Sequence, residues 1–423
     1  MNIQIGAIWR PFYDQVPIGI MGMDSNRIAE QISKDPAVEV MLRCARPFLR
    51  IEDKDAVESI LRNPDFDWSR LIDAVEHQHV VPLVSKGLDQ VDPELLPDDV
   101  RRRFMTSVEE IQAKNQRLAR ELIRILKVLR AEGITAIPFK GPAMAVLIYG
   151  ELGLRRFADI DILVRGKDTP KAKRILLANG YQAPSRVPLS REWHFFNDEV
   201  AVQIDLHDRI TSYRMPDLHD YEMLWRNRRT ISLLDNQVEC FSTDHTVLML
   251  CMQISKDWHE KRRFLSKICD LSTYLDTQAA IDWSKFLKFS ETQGLRRTVL
   301  VALFLTQVFH AVQLPHAVRK ATEADAFVTS LDVQVEKRLL EVVKRPLPVF
   351  EQIWLQMKYY DGFWGKLWRP LVRSVLLRPL MPSEMDEAFL KLPLSLGFLY
   401  YVVRPFRIIG RLCLYFLRAV GVR

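Results

Sequence analysis

The sequence predicts an α+β protein in which a small module with a mixed β-sheet is flanked by N-terminal and C-terminal helical regions. Apolar residues at helical spacing recur through 36–132 and 221–345, whereas residues 133–220 combine short strand patterns with helices. The chain has 423 residues and 48% of them are hydrophobic, which is enough to bury a core and excludes disorder as its main state. The predicted regions are a poorly ordered N-terminus at 1–35, a helical region at 36–132, an α/β core at 133–220, a second helical region at 221–345 and a basic aromatic tail at 346–423.

The first helical region begins with helices between Glu39 and Leu88, and Asp67 provides an N-cap signal within it. A stretch rich in Pro and Asp at 91–99 marks a break. A long amphipathic helix then covers Val100–Glu132 and is predicted to end at Gly133, because glycine readily takes the left-handed conformation that ends helices.

After Gly133 the apolar period shortens, which predicts strands. Pro142 suits the first turn of a helix, since the N–H that proline lacks has no partner there. The core is therefore predicted to contain strands at Ile134–Phe139, Ile160–Val164, Glu192–Asn197 and Val200–His207, with helices at Ala143–Tyr149 and Thr169–Ala178.

Helices dominate again from Tyr221 onward. Prolines then divide the tail into short pieces. The predicted helices are Asp244–Lys256, Phe264–Leu275, Trp283–Gln293, Arg296–Ala311 and Val333–Val343.

Several function classes lack their signatures in this chain. No Gly-rich phosphate loop is present, and the histidines lack the spacing of zinc ligands, so we expect no zinc. The 5 cysteines are scattered, which predicts free thiols in a reducing compartment. No signal peptide is recognisable, and the longest apolar run near the end, Leu392–Val403, has only 12 residues. We therefore expect a cytoplasmic protein.

The positive charge is concentrated in the tail. The net charge is +7, and residues 341–423 alone hold 13 Lys or Arg against 6 Asp or Glu, so the rest is balanced. This distribution favours an anionic surface as partner over nucleic acid. Arg404, Arg407, Arg411 and Arg418 share one helical face, which predicts peripheral binding at the inner membrane surface. The alternative is a tail docked on the protein's own helices with its arginines outward.

Two aspartates on one strand give the most informative pattern. Asp159 and Asp161 face the same side of a strand, and Asp205 lies on another alternating strand. Neighbouring half-buried carboxylates repel each other unless a cation lies between them, and carboxylate oxygens suit Mg²⁺ or Mn²⁺. If the strands are neighbours, the three aspartates can hold two metal ions. The alternative is a strand end that leaves its acids in water.

The turn before these aspartates favours the metal site. Lys140, Gly141 and Pro142 precede a helix, whose free N–H groups can hold a triphosphate together with the charge of Lys140.

These residues together resemble the nucleotidyltransferase superfamily of DNA polymerase beta, and more narrowly an uncharacterised bacterial nucleotidyltransferase family. The resemblance is specific over residues 133–210 and weaker over most of 40–315. The matching segments are Phe139–Met144 with Tyr149, Gly153–Val164 and Ile204–His207.

The resemblance implies that Asp159 and Asp161 bind two metal ions and the nucleotide phosphates, while Asp205 completes the catalytic metal site. It also implies that Gly141 lets the backbone approach the phosphates. Pro142 replaces the serine that is usual in the superfamily, so a hydroxyl contact is lost and Lys140 takes more of the phosphate binding.

The implied function is metal-dependent transfer of a nucleotidyl group from an NTP to a hydroxyl of an unknown acceptor. One alternative is an inactive nucleotide-binding scaffold that recruits a partner to the membrane through its tail. Another is a toxin that modifies RNA, although the balanced charge of residues 1–340 counts against it.

Four further residues are candidates. Arg155 and Arg156 can reach a phosphate or an acidic acceptor, or else be solvated loop charges. His207 can orient a metal ligand or carry a proton, or else be structural. Lys256 can line the cleft, or else pack at the surface.

Overall fold

A computed structural model describes residues 35–183, 192–210, 218–260, 262–277 and 281–329, a few single residues between 331 and 399, and the helix at 400–419, with side chains to 410. It confirms the α+β fold, with a small mixed sheet flanked by helices. The predicted disorder of the N-terminus and the predicted helix Val333–Val343 lie outside the described residues.

The N-terminal helices form because each has an apolar stripe to bury. Asp67 caps the third helix by accepting a hydrogen bond from the backbone N–H of Arg70 at 2.8 Å, as its position predicts. The fifth helix covers the sheet with Leu122 and Leu129, which join the apolar cluster around the central strands. The helices are α1 Pro36–Cys44, α2 Ile51–Leu61, α3 Trp68–Gln78, α4 Val81–Leu88 and α5 Asp98–Ala131.

A four-stranded sheet forms the centre of the α/β core. Its spatial order is β1-β2-β4-β3, in which β2 runs parallel to β4 and the other two pairs are antiparallel. All residues of β2 are buried, as expected for a strand with a neighbour on each side and helices on its faces. The strands are β1 Ala136–Pro138, β2 Ile160–Val164, β3 Glu192–Asn197 and β4 Val202–His207, with helices α6 Gly141–Tyr149 and α7 Thr169–Ala178 between them.

The region after 220 opens with a short helix and a β-hairpin that the sequence analysis missed. Strands β5 Arg229–Leu233 and β6 Asn236–Cys240 follow helix α8 Glu222–Arg226. The two residues between the strands, Leu234 and Asp235, both have positive φ, at 46° and 60°. Such a two-residue turn matches the twist of paired strands, but Leu-Asp is not one of the Asn-Gly or Asp-Gly pairs that indicate it in a sequence.

The remaining helices pack into the second helical region close to their predicted bounds. The described cysteines Cys44, Cys240, Cys251 and Cys269 are buried free thiols, as predicted. The helices are α9 Thr243–His259, α10 Leu265–Thr277, α11 Trp283–Thr292, α12 Arg296–His310, α13 His316–Ala324 and α14 Ala326–Thr329.

The tail contains helix α15 Tyr400–Ala419. Arg404 and Arg407 do not point outward, because both pair with the buried carboxylate of Asp386, at 2.8 and 2.5 Å. Their side chains are only 14% and 10% exposed, whereas Phe406 is 72% exposed. Arg404 and Arg407 therefore share one face of the helix, as predicted, but this face is turned toward Asp386, and membrane binding by the tail stays a prediction. Among the described helices, none combines the length and apolar character needed to cross a membrane.

Candidate functional site

Two buried aspartates face each other at the centre of the sheet. Asp161 on β2 and Asp205 on β4 are direct register partners of the parallel pair. Parallel strands place such partners on the same face, so the two carboxylates project together. Their residues are 3% and 5% exposed. The structure therefore brings together the acids that the sequence analysis could join only by assuming that the strands are neighbours.

One oxygen of Asp161 is held by two donors. The ammonium of Lys140 lies 2.5 Å from Oδ1, and Nε2 of His207 donates to the same atom at 3.1 Å. His207 is itself fixed by an edge-on contact with the ring of Phe139. His207 therefore orients a carboxylate, which is one of the two roles considered for it from the sequence.

One oxygen of Asp205 is held in the same way. Nδ1 of His194 and Nε2 of Gln203 both donate to Oδ1, each at 2.8 Å. His194 lies opposite Asp205 in the antiparallel register of β3 and β4, and Gln203 precedes Asp205 by two residues on the same face. Sequence analysis missed both residues, although the period of a strand could have identified Gln203.

The second oxygen of each carboxylate has no hydrogen-bond donor among the described residues. Ligand atoms of Asp161, Asp205 and His207 all lie within 4.8 Å of one another, and Glu192, His194 and Asp205 form a second such group. Two oriented carboxylates with open oxygens fit a hard divalent cation. The residues present therefore suit Mg²⁺ or Mn²⁺.

The electrostatics of Asp161 fit a site that is ready for a cation. Burial acts to raise the pKa of Asp161, but the charge of Lys140 and the hydrogen bond from His207 outweigh it and hold that pKa well below its usual range. Burial also acts to lower the pKa of Lys140, but the charge and the hydrogen bond of Asp161, together with the charges of Glu192 and Asp159, raise it overall. The pair therefore stays ionised, and Lys140 supplies the positive charge next to the carboxylate.

Asp159 lies just before β2 and outside the two ligand groups. Burial and the repulsion of Asp161 and Asp205 raise its pKa to about 6. The charges of Asp161 and Asp205 therefore act on Asp159. A cation bound by these carboxylates would lower the pKa of Asp159 and favour its ionised form.

Gly141 shapes the turn that supports Asp159. Its φ is +57°, and a Cβ at this position would lie 3.0 Å from the carbonyl oxygen of Asp159. The turn therefore needs glycine for its own conformation and for its contact with the backbone of Asp159. Pro142 occupies the first turn of α6, as predicted.

We expect Gly141→Ala to destabilise the fold by about 1–3 kcal/mol, because a left-handed residue gains a side chain against the backbone. Gly150→Ala is the matched control, since Gly150 also has a positive φ, of 73°, but nothing lies within 4 Å of an added Cβ. Urea unfolding of both variants measures the difference, and Mn²⁺ affinity should fall only in Gly141→Ala. Equal losses of stability in the two variants would contradict the role of the contact.

Arg155 is not a solvated loop charge. Its Nε donates to Oδ2 of Asp270 on α10 at 2.9 Å, its side chain is 10% exposed, and the hydroxyl of Tyr149 donates to Oδ1 of Asp270 at 2.9 Å. Burial acts to lower the pKa of Arg155, but the charge and the hydrogen bond of Asp270, with smaller contributions from other groups, raise it overall. Asn115 fixes the same loop by donating to the carbonyl of Arg155 at 2.8 Å. Arg155 therefore links the core to the second helical region.

The two remaining candidates lie apart from these contacts. Arg156 is exposed beside Arg155. Lys256 is half-buried on α9, and within the described part of the chain it makes no hydrogen bond or ion pair with the three carboxylates. The role predicted for Lys256 in the cleft gains no support.

The match to a family model agrees with the motifs. A family model described as an uncharacterised nucleotidyltransferase matches residues 64–310. A solved structure of an antigenic nucleotidyltransferase-like protein from Paracoccidioides brasiliensis is 14% identical, and the alignment covers 48% of this chain and 96% of that protein at a TM-score of 0.32. The search of curated proteins gave no match.

Proposed function

Because this chain belongs to the uncharacterised nucleotidyltransferase family, we propose that it moves a nucleotidyl group from an NTP to a hydroxyl of an acceptor in a metal-dependent reaction. The observation that carries the proposal is the direct opposition of Asp161 and Asp205 on parallel strands. The proposal includes the assignment to the superfamily of DNA polymerase beta, which the motifs resemble.

In this proposal Asp159, Asp161 and Asp205 hold Mg²⁺ or Mn²⁺. The metal supplies stabilisation of the charge on the attacking and leaving oxygens. His207, His194 and the other donors to Oδ1 keep the open oxygens of the carboxylates in place. The acceptor hydroxyl loses its proton to solvent with the help of Asp205, a bond forms between its oxygen and the α-phosphorus, and the bond to the β-phosphate oxygen breaks, so that pyrophosphate leaves.

Lys140 and the start of α6 are proposed to hold the phosphates. No side chain caps this helix, so the N–H groups of its buried first turn, apart from Pro142, which has none, lack a side-chain partner. The ammonium of Lys140 lies at the same turn. Its present partner is Asp161, so the lysine already contacts one of the proposed metal ligands.

Incubation of the full chain with each α-labelled NTP, a cell extract as acceptor pool and Mg²⁺ or Mn²⁺ tests the proposal. We expect pyrophosphate release and movement of label to a new species, both abolished by EDTA. Mn²⁺ affinity, measured without NTP by equilibrium dialysis, provides a readout that does not depend on turnover. Metal-dependent NTP binding with no transfer from any of the four NTPs would instead support the inactive scaffold.

A further inference from the structure

Helix α15 is held by the face that carries its charges. The fully buried carboxylate of Asp386 accepts hydrogen bonds from Arg404 and Arg407. Tyr400 lies on the same face, is 1% exposed, and its hydroxyl accepts from the backbone N–H of Leu392 at 3.0 Å. Three side chains of one helical face therefore fasten α15 to the segment that contains Asp386.

The opposite face of α15 is apolar and exposed. Val402, Phe406 and Ile409 follow one another at the spacing of about one helical turn, which places them on one side of the helix. Their exposed fractions are 55%, 72% and 57%. A helix that packs on a protein in water normally buries its apolar stripe and exposes its charges. The arrangement of α15 is therefore the reverse of the usual one.

Exposed apolar side chains are concentrated in this part of the described chain. Elsewhere in it the large ones are scattered singly between Phe48 and Leu234, which is ordinary for a protein surface. Between 389 and 409 there are 7, and besides those on the outer face of α15 they are Phe389, Leu390, Leu396 and Tyr401. Such a concentration is typical of a surface that binds a partner or a membrane.

The charge of the tail indicates which partner suits this surface. Helix α15 contains 4 arginines and no acidic residue. Asp386 neutralises part of this charge, but residues 341–423 together hold 13 Lys or Arg against 6 Asp or Glu. A surface of anionic lipid offers negative charge and an apolar layer in the same plane. The composition of the tail and the exposed face of α15 therefore favour the same partner.

We propose that α15 binds an anionic membrane surface with Val402, Phe406 and Ile409 entering the lipid, and that the ion pairs of Asp386 hold the helix in this orientation. Amphipathic helices lie along the membrane interface with their apolar side in the lipid. The arginines at 404 and 407 remain with Asp386, on the side away from the membrane. This binding does not depend on the proposed nucleotidyl transfer.

Flotation of the full chain with lipid vesicles tests this inference. We expect the wild type to float with vesicles of phosphatidylcholine and phosphatidylserine, and to float less with phosphatidylcholine alone or when salt is added, because salt screens the attraction to anionic lipid. Phe406→Ser/Ile409→Ser should weaken binding to the anionic vesicles about tenfold or more, because two apolar side chains no longer enter the lipid.

The double variant should keep the circular dichroism spectrum and the Tm of the wild type, because both changes are made at exposed positions. Ile51→Ser is the matched control, since Ile51 is 70% exposed at the start of α2, and this variant should bind vesicles as the wild type does.

Unchanged vesicle binding by the double variant would show that another surface, such as the arginine face, meets the lipid, and it would overturn the inference. Absence of binding by the wild type would also overturn it. Sedimentation equilibrium without lipid provides the remaining test, in which we expect no difference between the wild type and the double variant. A wild-type dimer that the double substitution dissociates would assign this face of α15 to a contact between two copies of the chain instead.

Discussion

Asp161→Asn and Asp205→Asn are each expected to lower the rate of nucleotidyl transfer by on the order of a thousandfold or more, because each removes a charge that holds the metal ion. Asparagine keeps the shape of the side chain, and its carbonyl oxygen can still accept from Lys140 or His194. The fold should therefore survive. We expect the circular dichroism spectra to match the wild type while both activity and Mn²⁺ affinity are lost.

Asp198→Asn is the control for this pair. Asp198 is exposed in the turn between β3 and β4, so the substitution removes the same charge from the same sheet without touching the site. It should leave the transfer rate and Mn²⁺ affinity unchanged. Activity retained by either Asp161→Asn or Asp205→Asn would refute the metal site.

Asp270→Ala is expected to destabilise the protein by about 3–5 kcal/mol, because it leaves the buried charge of Arg155 without a partner. It also removes the acceptor of the Tyr149 hydroxyl. The midpoint of urea unfolding, followed by circular dichroism, measures the loss. The effect should be large although Asp270 contacts none of the three proposed metal ligands in the described part of the chain.

Two variants separate the charge from the rest of this contact. Tyr149→Phe removes only a hydroxyl and should cost about 1 kcal/mol. Arg155→Met/Asp270→Leu removes both charges and should recover much of the stability lost in Asp270→Ala, because no lone charge remains buried. If Asp270→Ala unfolded at the same urea concentration as the wild type, the ion pair would not stabilise the junction between core and helices.

The sheet and its aspartates could be predicted because strands have a simple period. The alternation of Asp159 and Asp161 with apolar residues, and the same alternation around Asp205, assign these side chains to one face of their strands. The bounds of β2 and β3 are as predicted. Local pattern does not say which strands pair, so the parallel register of Asp161 with Asp205 appears only in the structure.

The contacts that support the site depend on residues far apart in the chain. Arg155 and Asp270 are brought together by the packing of α10 on the core, and no periodicity links them. The inward direction of Arg404 is a similar case, because a helical face does not reveal whether a distant acid such as Asp386 lies against it. The contact of His194 with Asp205 could have been predicted in part. Counting residues back from the turn between β3 and β4 places His194 opposite Asp205.

The parallel pairing of β2 and β4 also bears on how the protein folds. Parallel neighbours cannot be joined by a tight turn, so α7 and β3 must be synthesised before Asp205 can reach Asp161. Closing such a long loop is entropically costly, and bringing two carboxylates together adds repulsion. We therefore expect the metal site to form late in folding, so that a nascent chain that has not yet reached β4 offers no binding site for the ion.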